Sequence, residues 1–289
     1  MNSEKEIKGT LIPIGGNEDK GMAESENYTL DFIEDGILAH ILRESGGENS
    51  KIVVVPTASS IPVEVGENYL SAFDQLGCKN VQVLAIKNRI HSGNTQYIKA
   101  IEEADCIMFS GGDQSKIVAA IGNTRMHQLI IEKYHNSDFV IAGTSAGAMC
   151  MSTEMIAGGS SSDSLVKGAV RLGTGMGFLP ETIVDSHFIQ RGRFGRMAEA
   201  VAAFPHLIGI GLAEDTGIIV KNGTQFKVIG SGMVIMFDGS GLTHNNHAIL
   251  KQGTPMSMAD LKVHILSNGD QYNLKTRLVN VLPMASKFE

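Results

Sequence analysis

Apolar positions in the first half of the chain gather into five short runs, at residues 10–14, 52–56, 81–86, 106–110 and 139–143. Each is four to six residues of mostly Val, Ile, Leu, Met and Phe. Several are nearly continuous, and most stop at Gly, Pro, Ser or Thr. A run apolar on every residue is how a strand buried on both faces reads, whereas a half-solvated strand alternates. Between the runs, residues 64–76, 95–103, 116–121 and 125–134 space their apolar positions as helices do. Alternation of this kind predicts β-α-β crossovers: an α/β fold with a mainly parallel sheet and helices on both faces. Beyond residue 168 the pattern changes. Segments 168–178, 183–185, 217–221, 225–229 and 234–238 read as strands joined by Gly-rich turns such as Lys221-Asn222-Gly223, the signature of hairpins. One helix, 193–204, interrupts them. No Pro- or Ser-rich linker divides the chain, so residues 1–289 are expected to form one domain with a β-rich C-terminal extension from about 217. The stretch 158–164 (GGSSSDS) reads as a mobile loop, either a lid over the candidate nucleophile or a plain surface loop.

The candidate chemistry sits where strands end. Gly143-Thr144-Ser145-Ala146-Gly147 fits G-x-S-x-G, directly after one apolar run and before a segment able to open a helix. A nucleophile elbow needs that setting: a tight turn lifts the serine hydroxyl above the sheet, and small neighbours let strand and helix approach. The N–H of Ala146 would then face a developing oxyanion, with a second donor from Gly112 in the Gly-Gly turn Ser110-Gly111-Gly112-Asp113-Gln114. A serine needs a base. Of the nine histidines, His187 stands at the end of a strand-like run, followed by Arg191, Arg193 and Arg196, a cluster suited to anions. The acid that would orient it lies at Glu214 or Asp215, a carboxylate pair inside the otherwise apolar stretch 207–220. Periodicity does not choose between them.

Other features narrow the field. Lys and Arg number 24 against 31 Asp and Glu, a net charge of −7, which speaks against a nucleic-acid backbone as ligand. Three scattered cysteines with no C-x-x-C read as reduced, buried thiols. The H-x-x-H of His244 and His247 lacks a third ligand nearby, so no metal is expected. No cofactor is implied either, because there is no P-loop, no H-E-x-x-H, and no G-x-G-x-x-G after a strand. No apolar run reaches the ~18 residues of a membrane span. The first ten residues carry mixed charges and no apolar h-region. The expectation is therefore a cytoplasmic protein with no membrane partner.

Taken in order, GGDQ, GTSAGA, DSHF followed by the spaced arginines, and GLAEDT resemble the cyanophycinases of peptidase family S51. The likeness runs from Ile14-Gly15-Gly16-Asn17 to about residue 240. It implies a fold similar to the class I glutamine amidotransferases and a Ser-His-Glu triad of Ser145, His187 and Glu214. It also implies a substrate pocket lined by Gln114, Asp185, Arg191, Arg193 and Arg196, and a homodimer. Members cleave cyanophycin, a polyaspartate carrying arginine on each β-carboxylate, to β-Asp-Arg dipeptides. Arginines suit the carboxylates of such a substrate, and an acid such as Asp185 its guanidinium. The related aspartyl dipeptidases share the elbow. Two positions depart from the pattern: Ser186 stands where a Gln is usual, and Ala213 where an Asp often precedes the Glu.

Overall fold

A computed structural model describes residues 7–21, 29–159 and 165–283. Of the loop expected at 158–164, residues 160–164 lie outside these segments. The five apolar runs form strands β1 (Thr10–Ile14), β2 (Ile52–Val55), β3 (Val81–Val83), β4 (Cys106–Phe109) and β5 (Val140–Thr144). They lie side by side in the order β1-β5-β4-β2-β3, every pair parallel. Side chains alternate across a strand, and the chain buries both sets. Ile12, Ile14, Val54, Met108 and Ala142 face one core, under α1 (Ile37–Glu44) and α2 (Pro62–Gln75). Leu11, Val53, Ile107, Phe109 and Ile141 face the other. That side is covered by α4 (Thr95–Glu103), α5 (Gln114–Ile121) and α6 (Arg125–Asn136), with the short α3 (Arg89–Ser92) between β3 and α4. The α/β layering expected from the pattern is what is observed.

The parallel strands are only part of the large sheet, which has nine strands. After α7 (Ala146–Met149) come the two-stranded ribbon β6 (Glu154–Gly159) and β7 (Val170–Thr174), then β8 (Thr182–Asp185), α8 (Phe194–Ala203) and β9 (Ile208–Leu212). Strand β10 (Thr216–Lys221) then pairs antiparallel with β1, and β11 (Gln225–Gly230) antiparallel with β10. Gln271–Asn273 and Leu278–Asn280 extend that edge. The β10–β11 hairpin closes through Asn222 (φ 53°) and Gly223 (φ 66°), the left-handed pair a two-residue turn between twisted strands requires. The C-terminal strands are divided between this sheet and a second one. Strand β12 (Val234–Asp238) and Lys262–Leu266 leave for a second, four-stranded sheet with β9 and β8. The apolar stretch 207–220 is therefore two strands in two different sheets, and Glu214–Asp215 is the crossing between them.

Register decides what meets at the rim. Ile14 lies opposite Thr144 and Phe109 opposite Gly143, so the turns after β1, β4 and β5 emerge together. Ile14 also pairs with Gly217, which brings the segment entering β10 to the same edge. Asp185 lies opposite Gly211 in the second sheet and delivers the residues after β8 there too. Ligands of open α/β sheets bind outside the carboxyl ends of parallel strands for this reason.

Candidate active site

Ser145 sits between β5 and α7 with φ 51° and ψ −108°, a conformation L-residues rarely adopt. The flanking glycines are required by contact. A Cβ on Gly143 would come within 2.5 Å of the Gly147 carbonyl oxygen, and one on Gly147 within 2.4 Å of that of Phe109. Only glycine at both positions lets strand and helix close so tightly. The Gly-Gly turn after β4 packs on the serine: a Cβ on Gly111 would lie 3.3 Å from that of Ser145. Gly112, at φ 138°, has no room for a Cβ beside the Ala58 carbonyl.

His187, also left-handed at φ 44°, follows β8. Its Nε2 lies 3.0 Å from Ser145 Oγ, and its Nδ1 lies 2.6 Å from Glu214 Oε1. With Nδ1–H donated to the carboxylate, Nε2 is left with its lone pair toward the hydroxyl. The ring is held on its other side by Gly16 (φ 108°), where a Cβ would meet it at 2.4 Å. Burial pulls the His187 pKa below its ordinary 6.5. The bond to Glu214 opposes this, and the positive field of Arg191 and Arg193 adds to it. Of the carboxylate pair, Glu214 reaches the histidine. Asp215 turns away and accepts from Ser231 Oγ at 2.6 Å and from the Asp19 N–H.

Five residues were expected to line a substrate pocket, and the structure separates them. The opening over Ser145 holds about 400 Å³ and is walled by Asn17, Lys20, Asn68, Tyr69, His187 and Arg191, with Gly112 at its edge. Arg191 is the one of the five on this wall, and its guanidinium pairs with no carboxylate among the described residues. The other four do not border this opening. Asp185 is fully buried and receives Arg196 on both oxygens, the Nε contact being 2.6 Å, and Arg193 at 3.0 Å. Arg193 also donates to the Ser186 carbonyl at 2.6 Å. A charge enclosed this way has to be paired inside the fold, so Asp185, Arg193 and Arg196 form an internal clamp beneath His187. Gln114 turns inward as well and donates to the Ile156 carbonyl at 2.6 Å. It borders a shallower opening beside Gly112.

Two residues at the site, Asn17 and Gln190, were not singled out from sequence. Asn17 donates to Glu214 Oε2 at 3.2 Å, and Gln190 Oε1 accepts from the Glu214 N–H at 3.2 Å. Together they fix the carboxylate that faces the histidine. The signal for Asn17 was the Gly15-Gly16 turn at the end of β1, the same kind of strand-end turn as Gly111-Gly112. Ser186, the departure noted above, is buried with its hydroxyl 3.5 Å from Ser145 Oγ and donating to Met149 Sδ.

The sequence model of peptidase family S51 matches residues 27–228. The chain belongs to peptidase family S51. A cyanophycinase of Geminocystis herdmanii is 33% identical over 270 residues, which cover 93% of this chain and 95% of that one. One of Trichormus variabilis is 33% identical over 279 residues, 96% and 90% of the respective chains. Among solved structures, a peptidase from an acI-B1 actinobacterium shares the fold with a TM-score of 0.64 at 21% identity, covering 93% of this chain and 98% of its own. A putative peptidase E protein of Listeria monocytogenes does so at 0.52 and 16%, covering 78% and 99%. This S51 member is therefore a serine-type peptidase.

Proposed function

We propose that this peptidase hydrolyses cyanophycin to β-Asp-Arg dipeptides through an acyl-enzyme on Ser145. The observation that carries the reading is the chain Ser145–His187–Glu214 at 3.0 and 2.6 Å, on a strained elbow beside Arg191, which pairs with no carboxylate among the described residues. In this reading Ser145 Oγ attacks the backbone carbonyl of an aspartyl residue and passes its proton to His187 Nε2. Glu214 stabilises the imidazolium. The N–H groups of Gly112 and Ala146 receive the negative oxygen; among the described residues neither donates a backbone hydrogen bond outside the helices and strands. The leaving amine takes the proton from His187. Water, deprotonated by the same nitrogen, then releases the acyl group and restores Ser145. Arg191 holds the substrate's free carboxylate.

Two observations bear on the choice of substrate. The curated relatives at 33% identity are cyanophycinases, which favours the polymer. The enclosure of Asp185 by its two arginines favours a second reading, an aspartyl dipeptidase, because it removes the acid expected to meet a guanidinium. Incubation with cyanophycin and, separately, with free β-aspartyl and α-aspartyl dipeptides distinguishes them by mass spectrometry. Release of β-Asp-Arg from the polymer is the expected result. An untouched polymer with cleaved dipeptides would reassign the substrate and leave the serine chemistry standing.

The pH dependence has a definite sign. Only neutral His187 accepts the Ser145 proton, so kcat/KM should fall as pH drops through the free-enzyme pKa of His187, at a midpoint below 6.5. Arg191 disfavours the imidazolium, so Arg191→Ala should move this acid limb to higher pH as well as raise KM. A pH profile of the variant unmoved from wild type would show that Arg191 does not act on the histidine.

A further inference from the structure

At the floor of the pocket, beside Thr144, lies a carboxylate that the proposed reaction does not use. Glu18 is 2% exposed. One oxygen accepts from Thr144 Oγ1 at 2.5 Å; the other accepts from the Tyr69 hydroxyl at 2.5 Å and faces Lys20 Nζ at 2.9 Å. Burial pushes its pKa up, but the Lys20 ammonium and the two hydroxyl bonds outweigh this, and the group stays below its usual value. Enclosing an ion is costly even when it is paired. A neutral residue would fill the same space more cheaply, so what the charge holds in place matters.

It holds the elbow to a single loop. Thr144 is the last residue of β5 and stands directly before Ser145, whose N–H donates to the Ile14 carbonyl at 2.9 Å. Backbone as strained as that of Ser145 persists only when its surroundings over-determine it. The segment from Gly15 to Glu18 touches the other two members of the triad as well. The Gly15 carbonyl accepts from the His187 N–H at 2.7 Å, Asn17 donates to Glu214, and the Gly16 carbonyl accepts from the Asp215 N–H at 2.9 Å. Serine, histidine and glutamate thus arrive from three strands and are referenced to one four-residue loop. Side chains join that loop to the nucleophile's turn through the bond between Thr144 and Glu18.

We propose that Glu18 is a positioning residue, which fixes Ser145 relative to His187 and Glu214 by holding the Thr144 hydroxyl. The Glu18 carboxylate is enclosed by Thr144, Tyr69 and Lys20, so it acts through Thr144. The inference rests on Ser145 being the nucleophile, and the test keeps the two apart. Thr144→Val removes the hydroxyl at nearly constant volume, Thr144→Ser keeps it, and Glu18→Gln removes the charge. Each full-length variant is measured for its rate of labelling by an alkyl fluorophosphonate, its kcat and KM, and its melting temperature. A misplacement of about 1 Å costs on the order of 10²-fold in rate. Thr144→Val and Glu18→Gln should therefore label and turn over about 10- to 100-fold more slowly, with KM within about twofold. Thr144→Ser should stay close to wild type. Wild-type labelling rates in Thr144→Val would overturn the proposal, and so would an equal loss in Thr144→Ser, which would make packing the cause. If Glu18→Gln fails to fold, the Thr144 pair decides. A wild-type protein that is not labelled at all would instead remove the nucleophile itself, and this proposal with it.

Discussion

Ser145→Ala should leave a folded protein whose turnover is lower by roughly 10³-fold or more. The size of the effect follows from the geometry. Ser145 Oγ is the atom 3.0 Å from His187 Nε2, and the neighbouring Ser186 hydroxyl, 3.5 Å away, is turned to Met149 Sδ. Ser186 therefore has no base to activate it. The alanine variant keeps the flanking glycines, so the close approach of β5 and α7 survives. Alanine keeps the Cβ, so the strain at φ 51° stays and the melting temperature should change little. The measurement is steady-state turnover beside a thermal scan. Near wild-type activity in a variant confirmed by mass would move the nucleophile elsewhere.

Arg196→Ala should be the most damaging change outside the triad, because it attacks the fold. The Arg196 side chain is nearly completely buried and meets both oxygens of Asp185, which has no access to solvent. Removing it strands part of a buried carboxylate, a loss of about 3–5 kcal/mol where one partner of an enclosed pair is deleted. Arg193 still meets one oxygen at 3.0 Å and places the effect toward the lower end. Asp185 also accepts the Ser186 N–H at 2.9 Å, one residue before His187, so activity should fall together with stability. Arg196→Lys keeps the charge and loses the two-pronged fit, and should cost less. Urea denaturation of the three proteins reads the ranking. An Arg196→Ala protein as stable as wild type but weak in substrate binding would return this arginine to the pocket.

The parallel half of the fold was legible because burial on both faces leaves no polar position to interrupt a strand: TLIPI, IVVV and CIMF carry almost nothing but apolar residues. The elbow was legible because its glycines are demanded by contacts under 3 Å, and only glycine satisfies them. Sheet membership was harder. Residues 208–212 and 216–221 form one apolar stretch in sequence, and their separation into two sheets depends on partners far away in the chain, β12 for the first and β1 for the second. The choice between Glu214 and Asp215 was likewise set by Ser231 and Asn17, which come from distant segments. The arginines were ambiguous for a different reason. Arg193 and Arg196 are three apart at the start of α8, which puts them on one face, but spacing alone does not say whether that face looks into a cleft or onto a buried acid. Asp185, at the end of a wholly apolar strand, was the partner. Glu18 was invisible because the polar run Asn17-Glu18-Asp19-Lys20 after a Gly-Gly turn reads as solvated loop, and only the fold brings Tyr69 and Thr144 around it.

The central claim is that Ser145, activated by His187, forms the covalent bond to substrate. It is tested most directly by treating the protein with a fluorophosphonate and mapping the adduct by peptide mass spectrometry. The account predicts a single adduct on Ser145, formed more slowly as pH falls below 6.5 and abolished in His187→Ala. An adduct on another residue, or labelling of Ser145 that is indifferent both to pH and to the loss of His187, would contradict it.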